Sequence, residues 1–118
     1  MQHSGFSFQK MKAQRAALHA LEMVAKNRER FLGLPGEVGP QMEKALVSVV
    51  LNLAEGAGRW TPADQRRHYQ IALGSAAEVM AALEIARIYG RVSDSLFAAL
   101  SEKLEATRRM TLGLIRWR

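Results

Sequence analysis

The chain has no cysteine, which removes disulfides, thiolate nucleophiles and cysteine-based zinc sites from consideration at once. It has three prolines and nine glycines, most of them gathered between periodic stretches, as in a folded helical protein rather than a disordered one. Long apolar runs are missing too. The longest, Ala45 to Ala54, is broken by Ser48 and Asn52 and reaches about half of the ~20 residues that a membrane span requires. Near the N-terminus Lys10 and Lys12 are followed by a segment that His19 and Glu22 interrupt, so the apolar centre of a signal peptide is absent. A soluble cytoplasmic protein with no membrane partner is expected, and 118 residues make one domain.

What is present is helical periodicity. Residues Met1 to Ser7 show none and are expected to be a loose leader, with residues 8–118 forming the domain. From Phe8 to about Asn27, Met11, Leu18, Leu21, Val24 and Ala25 recur at helical spacing. Phe31 to Pro40 then carries three glycines and two prolines, a stop followed by a start. A second helix is expected from Pro40 to Ala57, ended by Gly58 in the left-handed cap position. Thr61-Pro62-Ala63-Asp64 is a strong initiation signal: a capping hydroxyl, a proline at the first helical position and an acid in the first turn. Tyr69, Ala72, Ala76, Val79, Leu83 and Ala86 form the stripe of a third helix that Gly90 stops. Ser93 or Asp94 caps a fourth, in which Phe97, Leu100, Leu104, Thr107, Thr111 and Leu114 keep a seven-residue repeat. Four helices with short connections at two of three corners predict an all-α, antiparallel up-down-up-down four-helix bundle.

The chain is organised around Ser48 to Arg59, where Ser48, Asn52 and Glu55 form one polar row on an otherwise apolar helix. Centring the turn between Trp60 and Thr61 sets Asn52 level with Tyr69, Glu55 with Arg66, and Val47 with Gly74, whose missing side chain would admit a close helix approach. Glu55 can also reach Arg59 one turn on. Ser48, Asn52, Glu55, Ser75 and Glu78 are read as structural polar contacts that fix helix register. The second helix, and Ile71, Ile85 and Ile88 on the third, are more apolar than one bundle face needs; a wide core contact or a subunit interface would account for them. Catalytic templates fit poorly. A two-metal bundle site needs Glu-x-x-His on two helices, and the nearest pattern is the reversed His19-Ala20-Leu21-Glu22. Ser48 and Ser75 lack a histidine at a matching height, and Gly56-Ala57-Gly58 lacks the strand-turn-helix setting of a phosphate loop. No cofactor is expected, and the chain reads as a non-enzyme.

Asn52-Leu53-Ala54-Glu55-Gly56-Ala57-Gly58-Arg59, followed one helix later by Ala72-Leu73-Gly74-Ser75-Ala76-Ala77-Glu78, closely resembles the small bacterial four helix bundle protein family. That family includes proteins encoded by intervening sequences in large-subunit ribosomal RNA genes, and the accessory variability determinant of diversity-generating retroelements is a more distant relative. The resemblance implies an up-down bundle assembling as a homopentamer. For the retroelement member it also implies binding to nucleic acid and to a reverse transcriptase. The Asn-Leu-Ala-Glu-Gly motif is typical of the ribosomal branch, so a reverse transcriptase is carried over only as a secondary expectation.

Seventeen Lys and Arg against eleven Asp and Glu give +6. In the expected topology Lys10, Lys12, Arg15, Arg59, Arg66, Arg67, Arg108, Arg109, Arg116 and Arg118 share one end with Glu55 and Asp64, ten bases against two acids and hence +8. Helix dipoles account for Arg116, Arg118 and Arg59 at C-termini, but not for cations at N-terminal turns such as Lys10, Lys12, Arg66 and Arg67. Trp60, Tyr69 and Trp117 fall near the same end, where rings can stack on bases; Tyr69 also lies on the core stripe, and a tryptophan beside a turn commonly packs down. The expected role is RNA or DNA binding through phosphates with little base readout. The rival is an adaptor whose basic rim docks an acidic partner protein.

Overall fold

The computed structural model describes residues 4–116, with side chains from Lys10 onward except Met11. The regular elements among them are all helices: α1 (Ser4–Lys26), α2 (Arg28–Leu32), α3 (Val38–Ala57), α4 (Pro62–Ile88) and α5 (Asp94–Arg116). The four long ones coincide with the four expected segments to within a few residues at most ends, and α2 is an addition. α1 takes in residues 4–7, expected in the leader, because adding residues to an existing helix costs far less than nucleating one. Met1 to His3, Trp117 and Arg118 lie outside the described residues. No described helix is long and apolar enough to cross a membrane.

α3 packs on α4, α4 on α5, α5 on α1 and α1 on α3, so the long helices enclose one core in a bundle measuring 47 × 24 × 19 Å. Ser48 meets Ser75 and Asn52 meets His68; numbering rises along α3 as it falls along α4, so these two helices run in opposite directions. The inward faces of α4 and α5 are the expected stripes, except that Phe97, expected on the α5 stripe, is only half-buried. Tyr69, Ala72, Ala76, Val79, Leu83 and Ala86 are buried, as are Leu100, Leu104, Thr107, Thr111 and Leu114. The two threonines donate to the carbonyls of Lys103 and Thr107, which satisfies hydroxyls that would otherwise be costly to bury.

α1 departs from expectation. Its inward face is Ala13, Ala16, Ala17, Ala20 and Val24, whereas Leu18 is exposed, as is Ala25, and Leu21 is half-buried. Small residues bring the backbone of α1 close to its neighbours, and the larger side chains flank that contact. Periodicity finds a face but does not say whether its small or its large members point inward.

The helix ends obey local chemistry. The Thr61 hydroxyl accepts from the Asp64 N–H at 3.1 Å with Pro62 at the first helical position, and the Ser93 hydroxyl accepts from the Leu96 N–H at 3.1 Å. Gly90, at φ 67°, stops α4, with N–H bonds from Arg91 to the Ala86 carbonyl and from Gly90 to the Arg87 carbonyl, the pairing of a left-handed glycine cap. Gly58 does not take that role. Its φ is −92°, so α3 ends without a left-handed residue. Phe31 and Leu34 pack into the core from the connection between α1 and α3. Arg91 secures that connection from across the bundle, donating through Nε to the Arg30 carbonyl at 2.7 Å and through Nη2 to the Glu29 carbonyl at 3.2 Å. Arg28 pairs with Glu43 at 3.2 Å, tying α2 to α3.

Candidate functional site

Two polar features emerge: a chain of hydrogen bonds between α3 and α4, and the arginine-rich turn that joins them. The chain starts at Ser75, whose Oγ lies 2.9 Å from Ser48 Oγ. Asn52 donates through Nδ2 to the Ser48 carbonyl at 3.0 Å and to Ser48 Oγ at 3.1 Å. With Nδ2 so used, Asn52 Oδ1 is the acceptor facing His68 Nδ1 at 3.0 Å. Arg67 Nη2, which can only donate, lies 3.1 Å from His68 Nε2. Both contacts are satisfied at once by the neutral imidazole with its proton on Nδ1. Arg67 in turn stands 3.7 Å from Asp64. Two of these contacts, Ser48–Ser75 and Asn52–His68, cross from α3 to α4 and fix which residues of the two helices meet.

His68 is the member that sequence reasoning missed. It sits in a basic stretch, yet it is buried and takes the place opposite Asn52 that level matching assigns to Tyr69. Tyr69 instead lies against Gly56: a Cβ on Gly56 would come within 2.5 Å of the Tyr69 ring. The close approach of α3 to α4 therefore depends on Gly56. Gly74, expected to provide it, has nothing within 4 Å of where its Cβ would be. The pairs do not follow one level rule counted from the turn: Asn52–His68 falls one residue short of it, while Ser48–Ser75 and Gly56–Tyr69 overshoot it by two and four. The Tyr69 hydroxyl is buried with no hydrogen-bond partner among the described residues, and burial pushes its pKa up to about 12.

Glu55 and Glu78 stand outside the chain. Glu55 pairs with Arg59 at 2.7 Å rather than with Arg66. Glu78 is exposed at the rim of an open cleft of about 410 Å³ that also takes in Lys44, Ser48 and Ser75.

The candidate basic residues are at the surface. Arg15, Arg59, Arg67, Arg108, Arg109, Arg116 and Lys12 are exposed, and Lys10 and Arg66 are half-buried. Three of them have acidic neighbours on the same stretch of chain: Arg59 with Glu55, Arg67 with Asp64, and Arg108 with Glu105 at 2.6 Å. Glu105 is not among the two acids counted at that end. Its two-point contact with Arg108, with Arg109 nearby, holds its carboxyl below the usual range. All three pairs are solvent-exposed and link residues three or four apart, a weak class of ion pair, so Arg59 and Arg108 can be drawn to a stronger anion at little cost, whereas Arg67 would also give up its contact with His68.

Trp60 does not pack down. It is 97% exposed, the most exposed large hydrophobic residue among those described, while Tyr69 is 1% exposed and belongs to the core. Beside Trp60 opens a cleft of about 500 Å³ lined by Ala54, Glu55, Gly58, Arg59 and Asp64. Further apolar exposure lies along the outer faces of α3 and α4, at Val47, Leu51, Ile71 and Ile88. Among the described residues, no group of three or more His, Asp or Glu side chains is placed to hold a metal ion.

No curated protein matches the chain. A family model, that of the 23S rRNA-intervening sequence protein, matches residues 10–113. That span takes in the Asn52 to Arg59 motif, its partners on α4 and nearly all of the bundle. On this match, with the all-helical fold that accompanies it, the chain belongs to the 23S rRNA-intervening sequence protein family.

Proposed function

We propose that this protein is a non-enzymatic, cytoplasmic bundle that binds RNA or DNA through the phosphates of the strand. The observation that carries the reading is the set of arginines around the α3–α4 turn, whose acidic partners among the described residues are exposed. Membership of a family named for ribosomal RNA agrees with an RNA-related role. An up-down-up-down topology belongs to the same reading. It is supported by the four-residue connection from α3 to α4, the five-residue connection from α4 to α5, and the ring of packed neighbours. In that topology Lys10, Lys12 and Arg15 on α1 and Arg108, Arg109 and Arg116 on α5 join Arg59, Arg66 and Arg67 at one pole. Repeated around a homo-oligomer, pentameric by the family resemblance, the pole becomes a basic rim. The exposed Val47, Leu51 and Ile71 supply apolar surface for such assembly.

Salt titration of RNA binding tests the proposal. About five phosphate contacts per site give a log-log slope of roughly −4, and Arg66→Glu with Arg67→Glu should flatten it by about 2. Unchanged affinity in that double variant would remove the assigned face. Light scattering at micromolar protein tests assembly, and a monomer mass would end that part of the reading.

A further inference from the structure

The cleft beside Trp60 differs from the basic surface around it. Its charged lining is two carboxylates, Glu55 and Asp64, and one guanidinium, Arg59. A phosphate placed there would face more negative charge than positive. An uncharged, flat group carrying N–H donors would find an indole face and carboxylate acceptors. Each carboxylate engages an arginine through one oxygen, Glu55 Oε1 with Arg59 and Asp64 Oδ1 with Arg67, which leaves a second oxygen to accept from a ligand.

The ring is also presented on a held support. Ahead of Trp60, the Gly58 N–H donates to the Ala54 and Glu55 carbonyls and the Arg59 N–H to the Gly56 carbonyl. The Gln65 amide donates to the Arg59 carbonyl at 3.1 Å, and after Trp60 the Thr61 cap and Pro62 fix the start of α4. An exposed tryptophan on a pinned turn loses little backbone freedom when something stacks on it. The walls beside it are polar, unlike the apolar surroundings in which an aromatic anchor of a protein interface is commonly set.

We propose that the cleft formed by Trp60, Glu55 and Asp64 receives one unpaired nucleobase bearing an exocyclic amino group, stacked on the Trp60 indole, while the surrounding arginines hold the flanking phosphates. This rests on the phosphate-binding reading above and narrows it to single strands or loops with a base free to turn out. Stacking on aromatic rings is tolerant of sequence; the carboxylates add a preference for cytosine, whose N4 amino group donates, over uracil, whose O4 accepts.

The test uses the full chain carrying Trp117→Phe, so that Trp60 is the single indole, with fluorescence-detected titration of oligocytidylate, oligouridylate and a blunt RNA duplex of matched length. The expected result is quenching of Trp60 by the single strands but not by the duplex, with oligocytidylate bound several-fold more tightly than oligouridylate. Trp60→Ala, in a label-detected assay, should weaken oligocytidylate binding roughly 5- to 150-fold with the salt slope unchanged, because no charge is lost. Equal affinity for the two homopolymers, or unchanged single-strand affinity in Trp60→Ala while Arg66→Glu and Arg67→Glu weaken it, overturns the base pocket and leaves phosphate binding standing. No binding of any of the three by the parent protein defeats both readings. A drop in particle mass on Trp60→Ala with nucleic-acid affinity intact reassigns the ring to a contact between copies and overturns the proposal.

Discussion

The α2 region and the α3–α4 turn are both rich in arginine, and they use it differently. Around α2, Arg91 reaches across from the α4–α5 connection to two backbone carbonyls, and its guanidinium covers Gly33 so closely that a Cβ there would lie 2.5 Å from Cζ. That cation is part of the fold. At the α3–α4 turn, Arg59 and Arg67 pair with exposed carboxylates close in sequence, and Arg67 also reaches the ring of the buried His68 next to it. Long-range hydrogen bonds spend an arginine on structure, whereas local surface pairs leave it free to exchange partners.

Each region also contains a glycine pressed against a group that cannot easily move away, and these give the largest expected effects. A Cβ on Gly39 would collide with the Phe31 carbonyl oxygen, a backbone atom fixed by α2. Gly39→Ala should therefore cost about 3 kcal/mol in denaturant unfolding, the upper part of the range for overpacking. Gly56→Ala meets the Tyr69 ring rather than backbone and should cost less, about 1–2 kcal/mol. Gly74→Ala, with open space around it, should raise stability by up to about 1 kcal/mol through helix propensity. If Gly74→Ala destabilised and Gly56→Ala did not, the assigned α3–α4 register would be wrong.

Next comes an alkaline effect from the ring beneath Gly56. Tyr69 is raised from 10.0 to about 12 by burial. Between those values the unfolded chain loses the phenolic proton while the folded one keeps it, so stability falls as pH rises through that window. The loss should approach roughly 2 kcal/mol by pH 12. Tyr69→Phe should abolish this component, and at pH 7 it should be neutral or stabilising, because the hydroxyl it removes is buried without a partner among the described residues. A marked loss of stability in Tyr69→Phe at pH 7 would mean that the hydroxyl has a partner after all.

Smaller effects separate the two uses of arginine. Arg91→Ala removes two hydrogen bonds and should cost about 1–2 kcal/mol while leaving RNA affinity unchanged. Arg108→Ala, which removes a fully exposed pair, should leave the denaturant midpoint essentially unchanged and flatten the salt dependence of RNA binding by about 1. Exchange of those two outcomes would reverse the roles given to the two residues.

Much of this fold is legible one segment at a time. Thr61-Pro62-Ala63-Asp64, the glycine at 90 and the stripes of α4 and α5 depend on backbone sterics and burial period, which act within a few residues. Partner choice between helices is not legible in that way. Ser48, Asn52 and Ser75 read as register-setting polar groups, but their link to Arg67 passes through His68, which nothing in its basic neighbourhood distinguishes. Likewise α1 turns its alanines rather than Leu18 inward, since the choice depends on how near its neighbours stand. Of the proposed interface, the residues could be named from charge alone, but the exposure of Trp60 could not, because a tryptophan beside a turn reads the same whether it is covered or bare.

The four long helices, most of their ends and the cations beside the α3–α4 turn were set by the sequence acting locally, through capping groups, proline and glycine at the ends, and apolar period between them. The pairing of α3 with α4, with Gly56 under Tyr69 and His68 under Asn52, was decided by tertiary packing alone. The physical reason is that a helix face fixes direction but not height: sliding one helix along another keeps both stripes buried, and only the mutual fit of ring, glycine and hydrogen-bonding groups selects one position.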